Sequence, residues 1–135
     1  MRSLLRIPFA FAGRTLLVLF GAVILFQMTV LAGLIPTEMV WGGRLENDEE
    51  RTAGAIVSIT VVLVAVCLVL IRMRVIGKGI PAVGRWGLWA MALLFALNSV
   101  GNLFALDLRE TLIFTPVTLL AAVLSWRLAL GEAEK

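Results

Sequence analysis

The 135-residue sequence has no histidine and a single cysteine, Cys67. Without imidazole, haem ligation through histidine, most zinc sites and the commonest general base are excluded. One cysteine forms no intramolecular disulfide and cannot run thiol–disulfide exchange alone, so Cys67 reads as a small apolar filler residue. Charge is scarce as well. Only 16% of residues are charged, and no carboxylate pair falls inside a long apolar segment. That removes the paired acids of general acid–base catalysis and the mid-membrane ionisable groups that ion-coupled carriers use. No enzymatic activity and no cofactor is expected.

What the chain has instead is apolar length. Hydrophobic residues make up 61% of it, and the mean hydropathy of +1.01 leaves no room for a separate water-soluble domain. Four stretches, Thr15 to Ile35, Ala53 to Ile71, Trp86 to Leu106 and Thr111 to Leu130, hold no charged residue before Arg127. A span needs about 20 apolar residues to cross a hydrocarbon core of about 30 Å. The sequence therefore predicts one domain over residues 1–135, an all-α membrane protein built as a four-transmembrane-helix antiparallel bundle. A cleaved signal peptide is not expected, because the first apolar run is too long for an h-region and no small-residue cleavage pattern follows it.

The remaining charges are sorted by side. Arg2, Arg6, Arg14, Arg72, Arg74, Lys78, Arg85, Arg127 and Lys135 flank one set of span ends, and Arg44, Arg51 and Arg109 the other. Seven of the nine acids, Glu38, Glu46, Asp48, Glu49, Glu50, Asp107 and Glu110, accompany the smaller set. Lys and Arg resist translocation, so both termini are expected in the cytoplasm of a cell whose inner (plasma) membrane holds the chain. The basic belt suits anionic lipid headgroups, making membrane lipids the first expected partner. Nucleic acid is not one, because the cations flank spans and form no soluble patch.

Local signals refine this picture. The opening segment through Arg14, interrupted by Pro8, reads as interfacial, with Leu4, Leu5, Phe9 and Phe11 dipping into the membrane. Ile35–Pro36 reads as the end of span one. Gly42 and Gly43 allow a turn with positive φ behind Trp41, and the acidic run from Glu46 to Glu50 reads as solvated chain before span two. Loop three is so short that spans three and four must form a hairpin. Gly54 with Ser58, and Ala92 with Ala96, have the small-residue spacing of close helix packing.

Polar residues inside the spans collect in the outer half: Gln27, Thr29, Ser58, Thr60, Asn98, Ser99, Asn102, Thr115 and Thr118. Asn98, Ser99 and Asn102 recur at helical spacing in span three, as Thr111, Thr115 and Thr118 do in span four. An unpaired amide costs several kcal/mol in lipid, so Gln27, Asn98 and Asn102 are expected to face the bundle interior. Pro116 frees the carbonyl of Leu112 beside these stripes.

Two readings stay open for this cluster. The stripes either satisfy one another as interhelical glue or line an outward cavity with Asp107, Arg109 and Glu110 at its mouth. The candidate binding residues are Gln27, Trp41, Arg51, Asn98, Ser99, Asn102, Glu110 and Thr115, with Glu110 and Arg51 expected to pair beside Trp41 at the rim. The function expected first is that of an accessory, scaffold or lipid-interacting membrane protein, partnered by a second copy or another membrane protein. The alternative is an outward-facing binding or transport protein, channel-like only as an oligomer.

From Trp41 to about Leu120 the chain resembles a family of small, uncharacterised bacterial four-span membrane proteins. The resemblance rests on Trp41-Gly42-Gly43, on Arg51 with Ser58-Ile59, and on Asn102-Leu103, Glu110 and Thr115-Pro116-Val117. It implies a bacterial inner-membrane location and that these mostly outward positions form one unit. It carries over no catalytic residue, and Ala105 and Asp107 stand where the family pattern has serines.

Overall fold

Pro8 precedes the first helix rather than interrupting it. In the computed structural model, which describes residues 6–131, Pro8 is the N-cap of α1 (Phe9–Leu31). There its missing N–H and fixed φ do no harm. The segment expected to lie along the interface is thus helical from Phe9 onward; Arg2, Leu4, Leu5 and Lys135 lie outside the described residues. The helix also stops short of Ile35–Pro36. Gly33 takes φ +73°, and the Leu34 N–H returns to the Thr29 carbonyl at 3.1 Å, so a glycine-closed cap ends the helix before proline can.

The end of the acidic run, Asp48 to Glu50, is exposed helix, while Glu46 and Asn47 precede it. It forms the first turn of α2 (Asp48–Arg72), where Asn47 Oδ1 accepts the Glu50 N–H at 2.9 Å. Three carboxylates there complement the positive end of the helix dipole. Pro81 opens α3 (Pro81–Asn102). Asp107 caps α4 (Leu108–Leu130), which runs through Pro116.

All four helices are long and apolar enough to cross a membrane. The described residues are otherwise turns and loops, with two 3-10 turns, Thr37–Met39 and Trp41–Gly43, in the first loop. The chain is an all-α membrane protein, a four-helix antiparallel bundle. α1 and α3 each lie between α2 and α4, which closes the ring.

The core follows one face of each helix. Leu16 and Phe20 of α1, Val62 and Val69 of α2, Leu88 and Phe95 of α3, and Leu124 and Leu128 of α4 are buried together. Phe20 and Phe95 meet at a centroid distance of 5.5 Å. Lipid tails are as apolar as these side chains, so close fit rather than water exclusion holds the helices. Glycines set the α2–α3 approach. A Cβ on Gly84 would lie 3.0 Å from the Arg72 backbone nitrogen, and the Leu68 side chain occupies the space a Cβ on Gly87 would need.

The small-residue pairs expected from sequence do less. Ala92 is buried but Ala96 faces outward, and Gly54 lies under the Trp41 indole rather than under another helix. Cys67 is exposed on the bundle surface, so it fills no core position.

Candidate functional site

Three consecutive left-handed residues fold the first loop over the end of the bundle. Trp41, Gly42 and Gly43 have φ of 53°, 75° and 69°, a run that only glycine makes inexpensive. The turn presents both polar groups of Gly42 to the α3–α4 hairpin. Its N–H donates to Glu110 Oε1 at 2.8 Å, and its carbonyl accepts the Leu106 N–H at 3.0 Å. Arg44 adds a bond from Nη2 to the Phe104 carbonyl at 3.2 Å. A Cβ on Gly43 would sit 3.0 Å from the Glu38 carbonyl oxygen, which requires glycine there for space as well as for φ. Glu110 is buried, and its second oxygen, Oε2, has no partner among the described residues.

The expected rim forms in part. Trp41 and Glu110 flank the same Gly42 turn, but Arg51 does not pair with Glu110. Arg51 Nη1 binds Asp48 Oδ1 at 3.0 Å, one turn back on its own helix. Its Nε is buried without a hydrogen-bond partner. The reason is competition: Asp48 lies at helical spacing on the same helix, and the backbone of Gly42 takes up Glu110. Asp107 and Arg109 pair with each other, Nη2 to Oδ2 at 2.8 Å and Nε to Oδ1 at 3.2 Å. This guanidinium holds the Asp107 carboxyl below the ordinary value of 3.8.

The seam between α3 and α4 closes on itself. Ser99 Oγ lies 2.8 Å from Thr118 Oγ1, and Asn102 Nδ2 donates to the same oxygen at 3.3 Å. Thr118 donates onward to the Phe114 carbonyl at 2.8 Å, and Thr111 Oγ1 donates to the Asn102 carbonyl at 2.8 Å. Ser99 Oγ also has the Phe95 carbonyl at 2.9 Å, so either hydroxyl can donate across the seam while the other turns its proton to a carbonyl of its own helix. Direct closure of this kind is glue rather than the lining of an open cavity.

Three candidate residues stand apart from the seam. Thr115 contributes its carbonyl to Thr118 at 3.2 Å, while its own hydroxyl is buried without a partner. Gln27 is half-buried and Asn98 is exposed, and neither amide is hydrogen-bonded among the described residues. The expectation that all three amides face inward holds for Asn102 and fails for Asn98. The buried face of α3 runs through Gly84, Leu88, Ala92, Phe95 and Ser99. Asn98 precedes Ser99 by one residue, about 100° around a helix of 3.6 residues per turn.

The candidate binding residues left out Gly42, the backbone partner of Glu110, and Thr118, the centre of the seam, although Thr118 stands in the span-four stripe. For Thr118 the helical spacing was a usable signal; for a backbone donor there was none. Compared with known protein families, curated proteins and solved structures, the chain matches none.

Proposed function

We propose that this chain is an accessory or scaffold protein of the bacterial plasma membrane, without catalytic machinery, that associates in the bilayer with a second copy of itself. Membership of the small four-span family and cytoplasmic placement of both termini belong to this reading, supported by the quoted motifs and the charge asymmetry. The observation that carries it is the exposed amide of Asn98. Its neighbours Ser99 and Asn102 are bonded within the seam, whereas Asn98 meets the surroundings of the bundle. In hydrocarbon an unpaired amide costs several kcal/mol, a cost removed when another protein supplies the missing donor and acceptor. A primary amide complements itself. Two Asn98 side chains related by a two-fold axis donate to and accept from one another, the isologous arrangement most dimers use.

The surface around Asn98 fits a helix. Leu94 and Leu97 are exposed beside it, and a Cβ on Gly101 would meet nothing within 4 Å, so a partner backbone has room to approach. The closed α3–α4 seam gives the alternative, an outward small-molecule site, no comparable support.

The reading is tested by energy transfer between labelled copies in lipid vesicles, in a Cys67→Ser background. Asn98→Leu is expected to weaken self-association by about 0.6–2 kcal/mol, the worth of an interhelical hydrogen bond. That is roughly three- to thirty-fold in dissociation constant. A wild-type chain that stays monomeric as its density in the bilayer rises, or a dimer indifferent to Asn98→Leu, removes the proposal.

A further inference from the structure

α2 and α3 touch at one end and part toward the other. Where α2 ends and α3 begins, the contact is close. A Cβ on Gly84 would lie 3.0 Å from the Arg72 backbone nitrogen and 3.1 Å from the Ile71 side chain, and the Leu68 side chain fills the space beside Gly87. From Gly87 the same face of α3 continues through Leu94 and Asn98, both within about 20° of it at 3.6 residues per turn. From Leu68 the same face of α2 continues through Val61 and Val57, with Val64 at its edge.

Helices that stayed in contact would bury these positions. They are open instead. Val57 is 51% exposed, Val64 47% and Leu94 38%. Asn98 is exposed, and a Cβ on Gly101 would meet nothing within 4 Å. Over this stretch α3 bonds to α4, through the Ser99–Thr118 hydroxyl pair at 2.8 Å and through Asn102. The result is a wedge-shaped cleft between α2 and α3, narrow at Gly84 and open beside Asn98.

The walls of the cleft are valine and leucine apart from one amide, and that amide selects the occupant. An acyl chain fills apolar space but offers Asn98 neither donor nor acceptor, and an unpaired amide costs several kcal/mol in hydrocarbon. A second α3 brings both, on a surface of the same shape, and Gly101 lets its backbone come close.

We propose that the cleft between α2 and α3 receives α3 of a second copy inserted the same way, each copy's α3 lying in the other's cleft. This rests on self-association through Asn98 and adds what the amide alone does not: α2 belongs to the interface, through Val57 and Val64. Reciprocal seating is what a two-fold interface requires, since the surface given and the surface received are the same.

Energy transfer between labelled copies in lipid vesicles, in the Cys67→Ser background, tests the α2 wall without touching Asn98. Val57→Trp puts an indole in the cleft, and the exposed valine leaves room for it within one chain. It is expected to weaken association roughly ten-fold, the scale of overpacking a close contact, while unfolding in micelles is unchanged. Val18→Trp, on the open face of α1 at 75% exposure, should leave association as it is. Contact is read by co-expressing Val57→Cys and Gly101→Cys chains in the same background. A short thiol crosslinker added to isolated membranes should join the two kinds of chain, and should not join Val18→Cys to Gly101→Cys. An equal loss from Val18→Trp, or no crosslink between the two cysteine positions, overturns the cleft. Dependence on Asn98 without dependence on Val57 keeps self-association and overturns the cleft alone, leaving its walls to acyl chains. A chain that stays monomeric removes both.

Discussion

The carboxylate of Glu110 accepts the backbone N–H of Gly42 at 2.8 Å across 68 residues of sequence. The carbonyl of the same glycine accepts the Leu106 N–H at 3.0 Å, so one turn of loop one is held at both polar atoms by the α3–α4 hairpin. Loop one is thereby a fixed lid on the bundle end rather than a tether between α1 and α2.

Removing the acceptor should open that lid. Glu110→Ala leaves the Gly42 N–H without its partner and should cost about 1–3 kcal/mol of stability in micelle unfolding experiments. Glu110→Gln keeps an acceptor oxygen and replaces a buried carboxylate by a neutral amide, so it should cost clearly less. Hydrogen exchange at Gly42 and Leu106 should quicken in the alanine variant alone. Equal behaviour of the two variants would show that charge, not the hydrogen bond, holds the loop.

Glycine substitutions should change sign with position. At Gly84 an added Cβ meets the Arg72 backbone at 3.0 Å and the Ile71 side chain at 3.1 Å, and backbone cannot rotate away. Gly84→Ala should therefore destabilise by about 1–3 kcal/mol through overpacking. At Gly21 nothing lies within 4 Å, so Gly21→Ala should gain up to about 1 kcal/mol from helix propensity. Unfolding of the two variants under one condition decides it; a gain at Gly84 would mean that α2 and α3 are free to move apart.

Hydropathy alone placed four spans, because an uncharged run of that length has few other solutions in a bilayer. Their ends were less legible. Gly33 closes α1 ahead of Pro36, and Asn47 draws the acidic run into α2, since caps are local hydrogen-bond events that hydropathy does not register. The Ser99–Thr118 seam was visible as two facing stripes. Asn98 was not separable from Ser99 by spacing, because each is at helical spacing from Asn102, and only the packing of α3 tells which turns inward. The Arg51–Glu110 pairing failed because sequence proximity favoured Asp48.

The entrance of α4 should show a pH signature. Asp107 caps the helix through the Arg109 N–H at 2.8 Å and is held by the Arg109 guanidinium at 2.8 Å, which lowers its pKa from 3.8. A folded value below the unfolded one means the stabilisation is fully present above the ordinary value and is lost as pH falls through the lowered one. The Asp107 carboxyl followed by NMR in micelles should titrate below 3.8, and Arg109→Ala should move the midpoint upward. A midpoint unmoved by Arg109→Ala would assign the shift to the helix terminus instead.

Orientation has its own test. Arg6, Arg14, Arg72, Arg74, Lys78, Arg85 and Arg127 lie toward one end of the bundle, while Glu110, Asp107 and Asp48 mark the other. Cations resist translocation and acids contribute little, so the cation-rich end should be cytoplasmic. A reporter active only in the cytoplasm should be active when fused after Lys135, and one active only outside should be active when inserted at Glu46 in loop one. Replacing Arg72, Arg74, Lys78 and Arg85 by Gln should raise the share of inverted molecules, since this loop holds the densest group of basic residues. A C-terminal reporter that is stably inserted yet silent in the cytoplasm would reverse the orientation.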